Sequence, residues 1–342
     1  MSKAQIGSGL SLGVNVGRAF KHLGLLEQLE QIAAPIKLTR YKTPDGRVLG
    51  EMKNSLPGDI AQGVIRPVFH RFLADTLGAD NVRLGKKLTR FEQDGSEVTA
   101  DFEDGSSARG EVLIGADGFG SVVRKQLLGD SEPRNAGYRT RRGVVETEAA
   151  KEGLFEIMIG NGQRFLYYPV GRWWMYWTAS TNESPGAREE PDEIRSKVLD
   201  RFGNWAEPAR TLVQATEDSR LFVAETYDRN PVRRWGEGRV TLLGDAAHPM
   251  TWDRGQGASQ AIEGAVLLAK QLSQGGDRAT ALRAWEAQRI RRTSKLVRFS
   301  RQIGRIQQSE SGLVRIYREK LMLPMMTKRA AKTGPKDLMV DY

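Results

Sequence analysis

The chain has no cysteine among its 342 residues and only three histidines. Disulfides, thiolate catalysis and cysteine-ligated metal are therefore excluded. His22, His70 and His248 stand too far apart to offer a metal-ligand spacing, so no metal site is expected. No run of eighteen apolar residues occurs, which leaves no integral membrane segment to expect. A charged-then-apolar leader is also missing at the start, and the corresponding expectation is a cytoplasmic protein. Acidic charge is in short supply: 52 Lys and Arg face 42 Asp and Glu, a formal net charge of +10. The cations are scattered, with a concentration at Arg283, Arg289, Arg291, Arg292, Lys295, Arg298, Arg301 and Arg305, and no nucleic-acid motif accompanies them. A solvated basic helix face is the expectation, with attraction of an anionic substrate or nucleotide as the alternative and no nucleic-acid partner.

One further absence concerns the N-terminus. A dinucleotide-binding fold starts with a strand, a G-x-G-x-x-G turn and a helix. Here Gly7, Gly9 and Gly13 give the wrong spacing and follow only a few residues, so the stretch reads as a loop leading to a helix.

What is present centres on Arg239 to Leu272. Val240, Leu242 and Leu243 read as a buried strand ending at Gly244-Asp245, and Gly255 and Gly257 precede a helix with Ala258, Ala261, Ile262, Ala265, Val266, Ala269 and Leu272 as its apolar stripe. A helix start has unpaired N–H groups and partial positive charge, and glycine lets a ligand approach it closely. Asp245 beside it can accept hydrogen bonds from ligand hydroxyls. A second apolar strand, VLIGA, ends in Asp117-Gly118, with Ser121 and Arg124 on the next helix.

These two stretches, GDAAHPM followed by GQGASQAIEGA and the D-G-x-x-S-x-x-R run, resemble the signature motifs of the class A FAD-dependent, aromatic hydroxylase-type flavoprotein monooxygenases. The match of Gly7 to Leu25, with Asn15 and Arg18, resembles the family's segment just after its first βαβ unit, so the chain is expected to enter the fold after that unit. The implied fold is α/β: an incomplete FAD-binding Rossmann-like domain of the glutathione-reductase type with an inserted antiparallel β-sheet substrate domain. Its expected parts are residues 1–133 (FAD-binding, first βαβ absent), 134–230 (substrate sheet), 231–310 (FAD-binding with the strand-end aspartate) and 311–342 (C-terminal helix and tail).

The resemblance implies FAD and NAD(P)H as cofactors, and oxygen transfer from O2 through a flavin C4a-hydroperoxide to an aromatic or unsaturated small molecule. It assigns FAD binding to Arg66, Asp117, Gly118, Asp245, Gly255, Gln256, Gly257 and Ala258, although Arg66 reads equally as a surface arginine at a helix start. Aromatic strands supply Tyr168, Trp174 and Tyr176 to the substrate pocket, with Trp252. No catalytic residue is named; His248 is a weaker candidate for a base than for structuring its loop. Homodimerisation is left open.

The chain also departs from the pattern. The family's proline immediately before Asp253 is Trp252 here, and Arg254, Ser259 and Gly264 differ as well. Trp252 could stack on the flavin, reshape the substrate pocket or fill an empty cofactor site, and Gly264 implies close packing or relaxed selection. The alternative is therefore an FAD-free relative acting as a cyclase, a binding protein or an inactive fragment.

The remaining segments give the expected frame. Ile36 to Met52 reads as a hairpin, Val68 to Leu77 as a helix, Asn81 to Leu113 as three short strands after Val82 to Leu84, and Arg278 to about Gln308 as an amphipathic helix with its charges outward. The last residues, from Thr327 on, read as a mobile tail.

Overall fold

The computed structural model of the chain describes residues 8–56, 59–129, 131–186, 188–333 and 342. It divides into two compact units, one of residues 1–72, 135–226 and 302–341, the other of residues 73–134, 227–301 and 342.

The first unit is built on a seven-stranded sheet. Its strand order is Phe222–Asp228, Arg134–Glu146, Trp174–Asn182, Gln163–Pro169, Leu154–Ile159, Leu38–Lys42 and Val48–Lys53. All pairs for which a register is defined are antiparallel except Leu154–Ile159 with Leu38–Lys42. Alternation along the strands separates two faces. Val145, Met158, Phe165, Tyr167, Met175, Trp177 and Ala179 point into a core closed by Ile194, Val198 and Phe202 of helix Pro191–Phe202 and by Leu212 and Val213. Trp177 lies over Gly143, its cross-strand neighbour, and its indole N–H donates to Thr216 Oγ1 at 2.8 Å. The opposite face carries Thr140, Arg142, Arg164, Tyr168, Tyr176, Thr178 and Ser180.

The Gly9–Leu12 segment corrects the loop expectation. It is a strand, paired with Asp59–Ile65 in a smaller sheet that also holds Ala33–Ile36, and helix Val14–His22 follows it. Gly7 lies outside the described residues. Gly9 has no room for a side chain, because a Cβ there would sit 2.7 Å from the Tyr176 ring. Two ends of the expected frame also change. Val82 to Leu84 forms no strand: Leu84 is among the most exposed apolar residues, and Gly85 turns the chain at φ 77° before any pairing can begin. The tail from Thr327 is helical as far as Thr333, since Leu323 and Thr327 are buried one turn apart and Thr327 packs on Gly50 of strand Val48–Lys53.

In the second unit, strands Leu113–Gly115 and Val240–Leu242 pair in parallel. The three-stranded meander of Leu88–Gln93, Val98–Phe102 and Ser107–Gly110 lies in the same unit. Helices Gly257–Ser273 and Arg278–Gln307 supply Leu268, Leu282 and Trp285 to a core that includes Trp235, Val240 and Leu242.

Adding a methyl group at Gly143 drives it into the Trp177 ring, where a Cβ would lie 2.7 Å away. Gly143→Ala is expected to lower unfolding free energy by about 1–3 kcal/mol, read from urea denaturation; an unchanged midpoint would show that the strand pair yields freely there.

Candidate flavin site

Strand Val240–Leu242 runs out into Leu243 and Gly244, whose φ of 63° only glycine adopts readily, and the chain turns so that Asp245 emerges exposed. A second left-handed glycine, Gly255 at φ 62°, closes the loop before helix Gly257–Ser273 begins. No side chain caps that helix and no acidic residue occupies its first turn. A helix start of this kind suits an outside acceptor.

The helix start and the carboxylate share one place. A Cβ built on Gly257 would meet only Met250 Cγ at 3.9 Å and Asp245 Oδ1 at 4.0 Å. The indole of Trp252 is not within 4 Å of that point. An acceptor-rich, hydroxyl-bearing group fits here, with Asp245, Gly255, Gln256, Gly257 and Ala258 around it. Gly118 has φ 77° and open space where a side chain would stand, so it too admits close approach of a ligand to backbone.

Asp117 has a different employment. Its carboxylate accepts from Ser121 Oγ at 2.5 Å and from the N–H groups of Val122 and Val123 at 2.7 and 3.2 Å, while Ser121 Oγ accepts from Arg124 N–H at 2.8 Å. These bonds cap helix Val122–Leu128. Arg124, buried, donates from Nη1 to the carbonyls of Ala246 and Ala247 at 2.8 and 3.2 Å. The aspartate of one motif thus sets the helix whose arginine holds the backbone of the other.

Helix Gly257–Ser273 buries a polar face, and here the sequence reading needs correction. Ala265 and Ala269 of the expected apolar stripe are exposed, whereas Ser259, Gln260, Glu263 and Gly264 are buried. Arg289 causes the difference. It is 2% exposed, pairs with Glu263, and donates to the Gln260 carbonyl and Oε1 at 3.1 and 2.9 Å. Arg292 adds bonds to Glu263 at 2.8 and 3.2 Å, and Gln260 Nε2 bridges Gln256 Oε1 and Glu263 Oε2, both at 3.2 Å. A charged residue on the expected solvated face is therefore internal. Burial pushes the Arg289 guanidinium below its ordinary range, against the opposing pull of Glu263. Gly264 has a packing reason: a Cβ would come 3.1 Å from Leu243 and 3.7 Å from Trp285, whose indole donates to the Gly264 carbonyl at 3.1 Å. Periodicity could not find this network, although Gln256, Gln260 and Glu263 share a helix face at three- and four-residue steps.

Ser300 of helix Arg278–Gln307 secures the loop from the other end. Its hydroxyl donates to the Thr251 carbonyl at 2.7 Å and accepts from the Arg254 N–H at 3.2 Å. His248 is buried with its ring 5.5 Å from Trp235, and its backbone N–H donates to the Gly244 carbonyl at 2.9 Å. Burial first, and the nearby Arg289 second, push its pKa down to about 3. A neutral loop-structuring imidazole matches this environment.

The other sequence-selected residues, Trp252 apart, belong to the first unit. Arg66 opens helix Arg66–Leu77 with its side chain exposed. Tyr168 and Tyr176 are cross-strand partners with ring centroids 5.1 Å apart, both buried, and burial raises both phenols above their usual range. Arg142, which sequence reasoning passed over, hydrogen-bonds Tyr176 and donates from Nε to Thr140 Oγ1 at 3.0 Å. Trp174 has its ring face taken by the Arg220 guanidinium at 4.4 Å. Trp252 is half-buried in the second unit. Among the described residues no cluster of three or more His, Cys, Asp or Glu could hold a metal ion.

Residues 11–300 match the FAD binding domain family. The chain belongs to the class A FAD-dependent monooxygenases. It is 34% identical over 334 residues to the aurachin C monooxygenase/isomerase of Stigmatella aurantiaca, covering 95% of this chain and 86% of that one. Identity to the FAD-dependent urate hydroxylase of Klebsiella pneumoniae is 36% over 302 residues, covering 85% and 78%. A crystal structure of Klebsiella pneumoniae HpxO complexed with FAD and uric acid superposes with a TM-score of 0.89 at 32% identity, covering 97% of this chain and 87% of that one. Members of the family hydroxylate or epoxidise aromatic or unsaturated molecules with FAD and, typically, NAD(P)H, and the chain is an enzyme of this kind. The FAD-free alternative is not favoured.

Glu263→Gln strips the negative partner from Arg289 and is expected to cost about 3–5 kcal/mol of unfolding free energy, whereas Glu263→Met with Arg289→Met should cost less; equal losses would show that the charges are not coupled. For His248, the folded pKa lies below the ordinary 6.5. The unfolded chain therefore takes up the proton first as pH falls, and this contribution to stability, complete above 6.5, drains away towards about 3. His248→Gln should flatten the decline of stability in that window, and parallel curves for the two proteins would refute the assignment.

Proposed function

We propose that Asp245 and the first turn of helix Gly257–Ser273 hold the flavin of FAD, with Gly255, Gln256 and Ala258 forming the rest of the berth. Asp245 accepts hydrogen bonds from the ribityl hydroxyls. The helix N–H groups favour negative charge at the pyrimidine edge, because they are oriented in advance and carry the positive end of the helix dipole. FAD, when bound, supplies the redox chemistry, with NAD(P)H as electron donor and O2 as the source of the transferred oxygen. Gly118 admits the cofactor against backbone; Asp117 contributes by fixing the helix that carries Arg124.

On the substrate side we assign Tyr168 and Tyr176 of the seven-stranded sheet as aromatic walls, with Trp174 at the margin. Arg142 beside Tyr176 adds a fixed positive charge, which suits an electron-rich ring bearing a carbonyl or phenolate oxygen. The presence of uric acid in the solved HpxO relative supports an oxygen-bearing ring. The oxygen is delivered by the cofactor's chemistry, and the protein's part is position, polarity and exclusion of water.

The observation that carries this reading is the open cradle at Gly257 with Asp245 Oδ1 as its polar neighbour. Purified protein should bind FAD in a flavin-fluorescence titration, and Asp245→Ala should weaken that binding about tenfold to a hundredfold, the loss of one or two bonds to a charged acceptor. A wild-type chain that leaves flavin fluorescence unchanged, or an alanine variant that binds as tightly, would overturn the assignment.

A further inference from the structure

The C-terminal helical run falls outside both the flavin berth and the tyrosine face. Gly312–Tyr317, the π-helical Arg318–Met322 and Leu323–Thr333 follow one another without a break. Leu323 and Thr327 pack inward, and Arg318, fully buried, donates to the carbonyls of Gln307 and Gly160, both at 3.2 Å. The outer side is unusual. Leu313, Tyr317, Leu321 and Met325 recur at four-residue steps and are 81, 48, 50 and 61% exposed, with Ile316 beside them at 54%.

Five large apolar side chains on one helix face exceed the scattered exposure of an ordinary surface. The charges around them have one sign. Arg315, Lys320, Lys328, Arg329 and Lys332 are exposed, and the lone acid of the run, Glu319, is already paired with Arg47 and Arg318. No helix among the described residues is long and apolar enough to cross a membrane.

We infer that this stripe seats the enzyme on an anionic lipid bilayer, lying in the interface with its apolar side chains among the acyl chains and its cations at the headgroups. Charge complementarity selects this occupant. A second copy docking stripe to stripe would bring five cations against five, in a chain whose net charge is already +10. The inference is independent of the flavin assignment and holds whichever ring the enzyme oxidises.

Sedimentation of the full chain with vesicles tests it. Equimolar phosphatidylglycerol and phosphatidylcholine vesicles should carry the protein into the pellet, and phosphatidylcholine alone should carry much less. The triple substitution Leu313→Asn, Leu321→Asn, Met325→Gln leaves charge and buried contacts intact, and it should reduce partition at least roughly tenfold with an unchanged thermal midpoint. Wild-type protein that stays in the supernatant with the anionic vesicles would overturn the inference. So would a triple variant that pellets equally, which would reduce the effect to overall charge, or a dimer in analytical ultracentrifugation that the substitutions dissolve, which would make the stripe a self-interface.

Discussion

Glu263 is a carboxylate with no access to water, held between two arginines from the neighbouring helix. An ion pair of this kind is a poor source of net stability, because desolvation offsets most of the attraction. Its value lies in what it forbids. A helix that rolled or slid along its neighbour would expose apolar surface at little extra cost, but it would also leave Glu263 or Arg289 buried and unpaired, which costs several kcal/mol. Gln256 and Gln260 extend the same constraint to the first turn, where Gly257 and Asp245 meet. The register of the helix start beside Asp245 is thereby fixed by charges buried further along the two helices.

The same device recurs. Asp228, fully buried, receives Arg134 at 2.7 Å and Arg301 at 2.9 Å, and Glu189 receives Arg139 and Arg141 at 3.2 and 2.8 Å. Part of the basic excess in the composition is therefore spent internally, two cations to one carboxylate at Glu263 and at Asp228. This also accounts for the departure of Arg289 and Arg301 from the expected solvated face, on which Arg291, Lys295, Arg298 and Arg305 are exposed. Arg289 and Arg301 point to partners that are distant in sequence, and no local periodicity encodes those partners.

Much of the geometry around Asp245 was legible, because it is local. A strand ending at Gly-Asp, a glycine pair and a helix occupy consecutive residues, so Asp245, Gly257 and the helix start could be placed by pattern alone, and the resemblance then gave them a cofactor. The antiparallel strands of residues 134–182 were legible for a similar reason, since neighbouring strands with short turns have few ways to pair. What escaped was tertiary. Gly9 reads as part of a turn signal until Tyr176 is seen against it. Alanines at helical spacing read as a stripe, although Ala contributes so little burial energy that Glu263 and its arginines decide which face turns inward. Thr327 reads as tail because the strand it packs on lies nearly three hundred residues earlier.

The two faces of the seven-stranded sheet are made from the same strands under opposite demands. Met175, Trp177 and Ala179 fill a core, and between them in sequence stand Tyr176, Thr178 and Ser180, equally shielded from water. Had stability alone chosen the second set, apolar residues would serve better, since the Ser180 hydroxyl is buried without a hydrogen-bond partner among the described residues and such a group costs about 1–3 kcal/mol. Arg142 on the neighbouring strand compounds the cost by bringing a charge to the same face. A fold keeps expensive polar groups where they act. On the assignment proposed above, these groups take up the oxygen atoms of a ring substrate, so the cost visible in the protein alone is offset when the substrate binds. The polar face would then be specific for what it lacks, a partner for the Ser180 hydroxyl, and a purely hydrocarbon ring of equal size would leave it unmet.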